Sequence, residues 1–460
     1  MTAPDVAETA AALQEHRPHL VPAFHQKTRE ARAAVLTRLW GALWREGLVD
    51  PARLDGPPPP LFGPPTREVV VDGTPFDDPG TLAAALHLKP AFKRELDNSV
   101  ANLALAMTAP PPPFGGLVGA EQSIVDGHPL HPCCRTRIGM STLDVLAYAP
   151  EHHPDVALRI VEADPADWRT AGTPVPPRFP VHPWQLPRAL ATGLVRDTGV
   201  DVPARPLMSL RTLETAGGHV KTAVEVQMTS AVRTLSPAAI HNGPLASDLV
   251  ASLATGGLHV LREVSAGTVL DNRTLGAVWR EAPPPGADVL PLALLPHRPD
   301  LATPGFRRAL VELVLPPMLR LLHDGVALEA HGQNTLVELD SRQNPVRVYY
   351  RDLGGIHVHP ERLARAGRRM PPLIGALPTR DEDALRTKLV ASLFATVLSS
   401  IAGDGLWEDV AAIVAGTGGT SDGSWILNKP WPVKATTAMR LAADPLTDRW
   451  CAVPNPLRAR

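Results

Sequence analysis

Proline is the strongest constraint in this sequence: 51 of the 460 residues are proline. Each one fixes φ and removes a backbone donor, so no long helix or central strand runs through a dense cluster. Three clusters, "GPPPPLFGPP" (56–65), "APPPPFGG" (109–116) and "APPPG" (282–286), therefore read as stiff loops between elements. At roughly 150 residues per domain the length allows two or three. We expect an α+β chain in three parts: helical over 1–150, mixed α/β over 151–300, and a strand pair set among helices over 301–460.

Periodicity carries that division. "TREARAAVLTRLWGALWREGL" places Ala33, Leu36, Leu39, Leu43 and Trp44 at helical spacing, with Gly47 near its end. "TLAAALHLKPAFKRELDNSVANLALAM" continues the helical theme. "PLMSLRTLE" and "HVKTAVEVQM" flank Ala216-Gly217-Gly218, a hairpin signal, and "GLHVLREVSAGTVL" reads as a second strand pair. "GFRRALVELVLPPMLRLLHDG" is a long apolar helix that Pro316-Pro317 should kink and Gly325 should end. "DALRTKLVASLFATVLSSIAGDG" is another buried helix.

Several function classes are disfavoured. A net charge of −2 gives no general field for nucleic acid or an anionic membrane, so any anion must be held by a local cluster of Arg and Lys. No run of about 18 apolar residues occurs. "MTAPDVAETAAALQEH" lacks the basic and apolar regions of a signal peptide. The cysteines, Cys133, Cys134 and Cys451, form no C-x-x-C pair. The expectation is a cytoplasmic protein without membrane or nucleic-acid partners. Neither Ser141 nor the cysteine pair has a nucleophile's context, which argues against hydrolase chemistry.

Two hairpins concentrate the chemistry. With the first centred on Gly217, Lys221 falls opposite Leu213 and Ala223 opposite Arg211. Ser209, Arg211 and Lys221 would then share one face as a triphosphate grip, with Val220, Val224, Val226 and Met228 in the core. A solvated face of idle cations carries the same alternation. The continuation "TSAVRT" favours the grip, because Thr229 or Ser230 can cap a helix with Arg233 one turn in. The second hairpin joins Thr335–Leu339 to 346–350 through "DSRQNP". It brings Asn334 near Arg351-Asp352, with His331 and Gln333 just outside. Oxygens of Asn334 and Asp352 suit Mg²⁺, as in the plan of kinase-like phosphotransferases; a capped turn with a surface salt bridge is the bland alternative.

Two His-Pro segments follow the same double reading. "DGHPLHPCCRTRIGM" offers His128, His131, Arg135 and Arg137. The proline after each histidine disfavours the helix that a zinc pair would need, which leaves a substrate-anion loop or plain structure. In "VHPWQLPR", Trp184 is a core candidate, and His182 and Gln185 are polar lining or satisfied turn groups.

In order along the chain, "GHPLHPCCRTRIG", "HPWQ", "SLRT", "HVKTAVEVQMTSAVR", "EAHGQNT", "YRDLGG", "NKPWPVKA" and the late "VPNPL" resemble the NRPS-independent siderophore synthetases, the IucA/IucC-like family. The seven main motifs span about residues 127 to 434. The resemblance implies a cupped hand: a helical thumb, mixed fingers and a palm distantly like kinase-type folds. It implies ATP-dependent adenylation of a carboxylate of citrate or a related polycarboxylic acid. An amine, hydroxylamine or alcohol then attacks to give an amide or ester in siderophore-type biosynthesis. Carried over by motif, Ser209, Arg211, Thr212 and Lys221 hold ATP phosphates, and Gln333, Asn334 and Asp352 serve the nucleotide, with Asn334 and Asp352 on Mg²⁺. His128, His131, Arg135, Thr229, Ser230, Arg233 and His331 face the acid; Arg233 and His331 are the catalytic candidates, His331 as base. The family often dimerises, which implies a homodimer.

This chain departs from the family pattern in having Arg135 where lysine is usual and Met140 where an aromatic is usual, so the bound acid need not be plain citrate. It is also shorter than is usual, which implies trimmed loops and thumb. A small-molecule kinase would carry His-Gly-Asp where this chain has His331-Gly332-Gln333. A non-catalytic nucleotide-binding relative would have lost Lys221, Arg233 or Asp352.

Overall fold

A computed structural model describes residues 2–113, 115–416, 420–445 and 447–458; Phe114, in the second proline cluster, lies outside the described residues. The N-terminal part is mostly helical. The helix Val21–Arg45 begins with a proline in its first turn, where the missing N–H costs nothing, and buries Phe24, Ala31, Val35, Leu36, Leu39 and Leu43. That stripe packs on Leu96, Val100 and Leu103 of the helix Pro90–Ala106. The second helix also buries a polar stripe, Glu95, Asn98, Ser99 and Asn102. Buried polar groups need partners: Asn98 and Ser99 find them in the His-Pro loop, Asn102 donates to Asn98, and the Glu95 carboxylate accepts from Arg440. Ser99 Oγ donates to Pro132 O at 3.1 Å and accepts Arg135 N–H at 3.1 Å. Asn98 Oδ1 accepts Arg137 N–H at 2.9 Å, and Glu95 O accepts Thr136 Oγ1–H at 3.1 Å.

The middle part builds an eight-stranded antiparallel sheet. Its order is Trp168–Gly172, Glu263–Val269, Gly276–Arg280, Gly218–Thr222, Thr212–Thr215, Val195–Pro206, Val156–Ala163 and Arg178–Val181. The first hairpin differs from expectation by one residue. Thr215 pairs with Gly218 around the two-residue turn Ala216-Gly217, so Lys221 faces Thr212, not Leu213. Arg211 precedes the strand, in a turn closed by Thr212 N–H to Ser209 O at 2.9 Å. The second strand is also broken at Ala223. Val220 joins the core of this sheet, whereas Val224, Val226 and Met228 pack on the thumb helices.

Val224–Met228 instead lies at the centre of a three-stranded sheet, between Ala231–Arg233 and Arg137–Ile138. Thr229 and Ser230 are the turn of a hairpin and not a helix cap, with Thr229 left-handed at φ 59°. Arg233 is therefore on a strand; the next helix, Pro237–Leu253, is capped by Ser236. The expected strand pair in "GLHVLREVSAGTVL" also divides. Leu258–Val260 pairs with Pro345–Tyr350 in parallel, while Glu263–Val269 enters the eight-stranded sheet.

The C-terminal part holds a four-stranded sheet, Leu258–Val260, Pro345–Tyr350, Thr335–Leu339 and Asp288–Pro291. Two of these strands precede residue 300, so the expected domain boundary cuts through a sheet. One helix, Pro304–His323, runs through Pro316-Pro317. Glu382–Leu389 continues into a π-helix, Val390–Leu398, where Thr396 Oγ1 donates five residues back to Ala391 O at 2.7 Å. Among the described residues, no helix is long and apolar enough to cross a membrane.

The N-terminal helices meet the end of the chain at Glu46. Its buried carboxylate accepts Ala438 N–H at 2.7 Å, yet burial pushes its pKa up to about 7. A carboxyl raised in the folded state favours folding most below its unfolded value, and that advantage is lost as pH rises through about 7. Glu46→Gln should therefore flatten the fall of stability between about pH 4.5 and 7, by at most about 1.4 kcal/mol per pH unit. Urea unfolding across that range checks this.

Candidate active site

The mouth of the second hairpin is the centre of the site. Thr335 pairs with Tyr350, and Arg351 N–H closes on Asn334 O at 3.0 Å. Asp352 then turns into the left-handed region at φ 68°, a conformation that aspartate tolerates better than most residues. Both its carboxylate oxygens lie 2.9 Å from Lys221 Nζ, and Arg280 Nη2 is 3.7 Å from one of them. Lys221 pairs with Val278, and Arg280 is two residues further along that strand, so the two cations share a face. Arg280 is also bonded to Glu263 at 2.8 Å. Burial opposes the charge on Asp352, but Lys221 and Arg280 outweigh it and hold the carboxyl well below its ordinary range.

Two further arginines enclose the pair. Arg211 donates to Thr234 O at 2.8 Å, and Arg233 donates to Met228 O at 3.0 Å. Burial brings the Arg211 pKa down to about 10, helped by Arg233 and opposed by Asp352. The Arg233 pKa is lowered by burial and opposed by Asp352 alone. Lys221, Arg211, Arg233 and Arg280 thus crowd a region whose carboxylates are Asp352 and Glu263.

The histidines are built to stay neutral. In each His-Pro-x segment the ring Nδ1 accepts the backbone N–H two residues on: Leu130 to His128 at 3.2 Å, Cys133 to His131 at 3.0 Å and Trp184 to His182 at 3.1 Å. A neutral ring that accepts at Nδ1 carries its proton on Nε2. Burial takes the pKa of His131 well below its ordinary value, so it is an uncharged donor; the pKa of His128, an exposed residue, is lowered as well. His131 Nε2 reaches Ser230 Oγ at 2.6 Å. Burial also lowers His331, against Glu329 and Asp352. Its Nε2 lies 3.3 Å from the Asn334 amide nitrogen, which must donate to it. The Asn334 amide oxygen is thereby directed away from the imidazole.

Some expected site residues are fully occupied by the protein. Arg135 donates to Val125 O at 2.7 Å, to Glu151 at 3.2 Å, to Asp126 O at 3.1 Å and to Ile124 O. With these bonds it is a staple for the preceding loop. Met140 is fully buried in the thumb core, so the missing aromatic is a matter of packing. Gln333 is held through its backbone oxygen, which accepts from Arg351 at 3.0 Å. Arg351 also pairs with Glu121 at 2.8 Å, and Glu121 accepts Met208 N–H at 2.7 Å. Thr212 lies beside Lys221, and Ser209 lies in the turn before it.

Glu121, Glu263, Arg280 and Lys434 were not expected here. Lys434 stands in "NKPWPVKA", a motif with no residue assigned; its Nζ is 2.9 Å from Asp448 and 3.6 Å from Glu329, and its charge acts on His128 and His331. Arg280 ends the largely buried strand Gly276–Arg280, and its partner across the mouth is remote in sequence. Among the described residues no group of three or more His, Cys, Asp or Glu could hold a metal ion. An ionised Asp352 with the Asn334 amide oxygen does fit a hard cation that keeps phosphate oxygens as its other ligands.

Residues 116–174 and 178–297 match the model of the IucA / IucC family, and residues 306–444 match that of the ferric iron reductase FhuF-like transporter. An uncharacterised protein, y4xN, of Sinorhizobium fredii is 25% identical over 81% of this chain and 83% of its own length. Staphyloferrin A synthase of Staphylococcus aureus is 25% identical over 54% of each chain. The D-ornithine–citrate ligase of the same organism is 23% identical over 59% of this chain and 57% of its own. The match thus spans little more than half the length of these two ligases. The petrobactin biosynthesis protein AsbB of Bacillus anthracis superposes with a TM-score of 0.77, 17% identity and 98% coverage of both chains. ATP-bound aerobactin synthetase IucA of Klebsiella pneumoniae gives 0.72, 19% identity, 92% of this chain and 99% of its own. The fold is the mixed α+β fold of the siderophore synthetases. The match to the IucA / IucC family lies within residues 116–297, and the fold around it is that of solved siderophore synthetases.

The buried Arg351–Glu121 pair ties the hairpin mouth to the helix Gly116–Gln122. Arg351→Met should cost about 3–5 kcal/mol, because it strands a buried carboxylate, and adding Glu121→Met should recover part of the loss. A double-mutant cycle by urea denaturation checks both.

Proposed function

We propose that this protein is an ATP-dependent synthetase. It adenylates a carboxylate of citrate or a related polycarboxylic acid, then joins it to an amine, hydroxylamine or alcohol as an amide or ester. The observation that carries this reading is the Lys221–Asp352 pair inside a ring of Arg211, Arg233 and Arg280. Such a ring suits a triphosphate and the charge that develops on the α-phosphorus and the departing pyrophosphate. It needs no protein nucleophile.

In this reading ATP phosphates take over Lys221 and Arg211, with Ser209 and Thr212 beside them. Asp352, released from Lys221, and Asn334 would hold Mg²⁺, which supplies charge neutralisation at the phosphate oxygens. The acid lies along His128, His131, Thr229, Ser230 and Arg233. Its carboxylate oxygen attacks the α-phosphorus, the bond to the β-phosphate oxygen breaks and pyrophosphate leaves, with Arg233 facing the new charge. The nucleophile's lone pair then attacks the acyl carbon and AMP departs. His331 is neutral and accepts at Nε2, so it can take the nucleophile's proton. Gln333 anchors the nucleotide end of the hairpin. We further propose that the enzyme works as a homodimer in the cytoplasm.

A kinase on the same palm would make ADP and would want an aspartate where Gln333 stands. Iron reduction, as in the description of the second matching family, finds no thiolate in the matched stretch, since residues 306–444 contain no cysteine.

The test is product analysis with ATP, a panel of carboxylic acids and hydroxylamine as a generic trap. Pyrophosphate and AMP are expected; ADP alone, with every acid, would sink the ligase reading. Arg233→Ala and Asp352→Ala should each abolish turnover with an unchanged circular dichroism spectrum, and near wild-type rates would refute their roles.

A further inference from the structure

We infer that Arg137 is the guanidinium that the His-Pro loop presents to a carboxylate of the acid substrate, the place that motif spacing assigns to Arg135. The inference rests on the ligase reading above and names one of its specificity residues.

The three-stranded sheet supplies the geometry. Arg137 pairs with Met228, and Met228 pairs on its other side with Ala231. Directly paired residues share a face, and so do alternate residues of one strand. Arg137, Met228, Ala231 and Arg233 therefore project from the same face. Arg233 is the residue assigned to the adenylation step, so Arg137 stands in the row that ends at the reacting centre. The turn joining Met228 to Ala231, the two inner positions of that row, contains Ser230, which His131 Nε2 contacts at 2.6 Å.

The bonding state of Arg137 points to an absent anion. Only 5% of the residue is exposed. Its Nη1 donates to the neighbouring Thr136 O at 3.2 Å, while its Nε is buried without a hydrogen-bond partner. The carboxylate nearest to it, Glu151, stands 3.9 Å from Nη2, beyond hydrogen-bond reach, and the other Glu151 oxygen is taken by Arg135 at 3.2 Å. The Nε–Nη2 edge, the edge an arginine uses to grip a carboxylate with two parallel bonds, is thus left open.

Charge points the same way. Other acids around the loop are committed: Asp126 to Arg38 at 2.6 Å, and Glu95 to Arg440. Arg135 and Arg137 share Glu151, Arg233 has only the charge of Asp352 acting on it, and burial together with Arg135 and Arg233 brings the Arg137 pKa down to about 10. A buried cation short of a counter-charge favours an anionic ligand. Lys221 of the triphosphate grip lies on the eight-stranded sheet and Arg211 in the turn leading into it, whereas Arg137 lies on the three-stranded sheet, so the anion that Arg137 meets is the acid and not ATP.

The experiment measures pyrophosphate release with ATP and citrate, tricarballylate or succinate, for the wild type, Arg137→Lys, Arg137→Ala and Arg135→Lys. For the acid that the wild type uses best, Arg137→Lys should raise KM at least about tenfold while KM for ATP stays within about twofold. Added guanidinium ion at non-denaturing concentration should restore part of the rate to Arg137→Ala. Arg135→Lys should lower the thermal midpoint and leave the acid's KM unchanged. A folded Arg137→Lys with unaltered KM for the acid overturns the inference, and this arm decides even where Arg137→Ala fails to fold. A wild type that releases no pyrophosphate with any acid overturns the ligase reading itself and this inference with it, before any variant is compared.

Discussion

The ion pair between Lys221 and Asp352 joins the two halves of the site across 131 residues of sequence. One partner lies on the eight-stranded sheet and the other at the mouth of the palm hairpin. Each would be costly alone in so enclosed a place. About a third of the Asp352 side chain is reached by solvent, so the pair sits at the edge of an opening and not inside a sealed core. Paired, the two groups keep each other charged and in position, and a triphosphate with its cation can exchange for them with little rearrangement. The supporting contacts all hold the pair in register: Arg280 is tethered by Glu263, the hairpin mouth is closed by Arg351 N–H on Asn334, and Arg351 is anchored on Glu121.

An excess of cations in one region has a consequence for the histidines. A protonated imidazole at His131, near Arg38 and Arg233, would add repulsion to the cost of burial. The His-Pro-x turn solves this in the backbone. The proline shapes the turn, the N–H two residues on occupies Nδ1, and the ring is left with one donor at Nε2. His131 can therefore offer a hydrogen bond to an anion without carrying charge. His182 makes the same turn beside Tyr148, whose ring centroid lies 5.1 Å away, so the device is partly plain structure.

The parts of this arrangement that are local in sequence were legible, and the parts that depend on contact order were not. The second hairpin stands where alternation and "DSRQNP" place it, and its strand starts one residue earlier, at Pro345. The first hairpin slipped by one because Ala216-Gly217-Gly218 can turn on two residues or three, and a one-residue change alters every cross-strand pair. Thr229 and Ser230 are residues that both cap helices and make turns, so only the pairing of Val224–Met228 with Ala231–Arg233 decides between them. The polar stripe Glu95, Asn98, Ser99 and Asn102 recurs at helical spacing in "ELDNSVAN" and was overlooked, since polar residues on a helix ordinarily mean solvent. Glu121 and Arg280 carry no local signal of their partners.

The departure at Arg135 gains a different meaning from its bonds. Its guanidinium binds three backbone oxygens and one carboxylate in a single plane, and an ammonium group on a lysine stem cannot reach all four. The substitution acts on the loop, and under the ligase reading the choice of acid would pass to the face that carries Arg137 and Arg233. Those two residues lie on the outer strands of the three-stranded sheet, with Met228 between them. Neighbouring strands stand roughly 4.8 Å apart, so the two guanidiniums spring from backbones about 10 Å apart. Two arginine side chains can converge over that span, so the spacing allows one carboxylate between them as well as two carboxylates held separately. Under the ligase reading, a polycarboxylic acid would use the second arrangement, one carboxylate at Arg137 and another at Arg233 for activation.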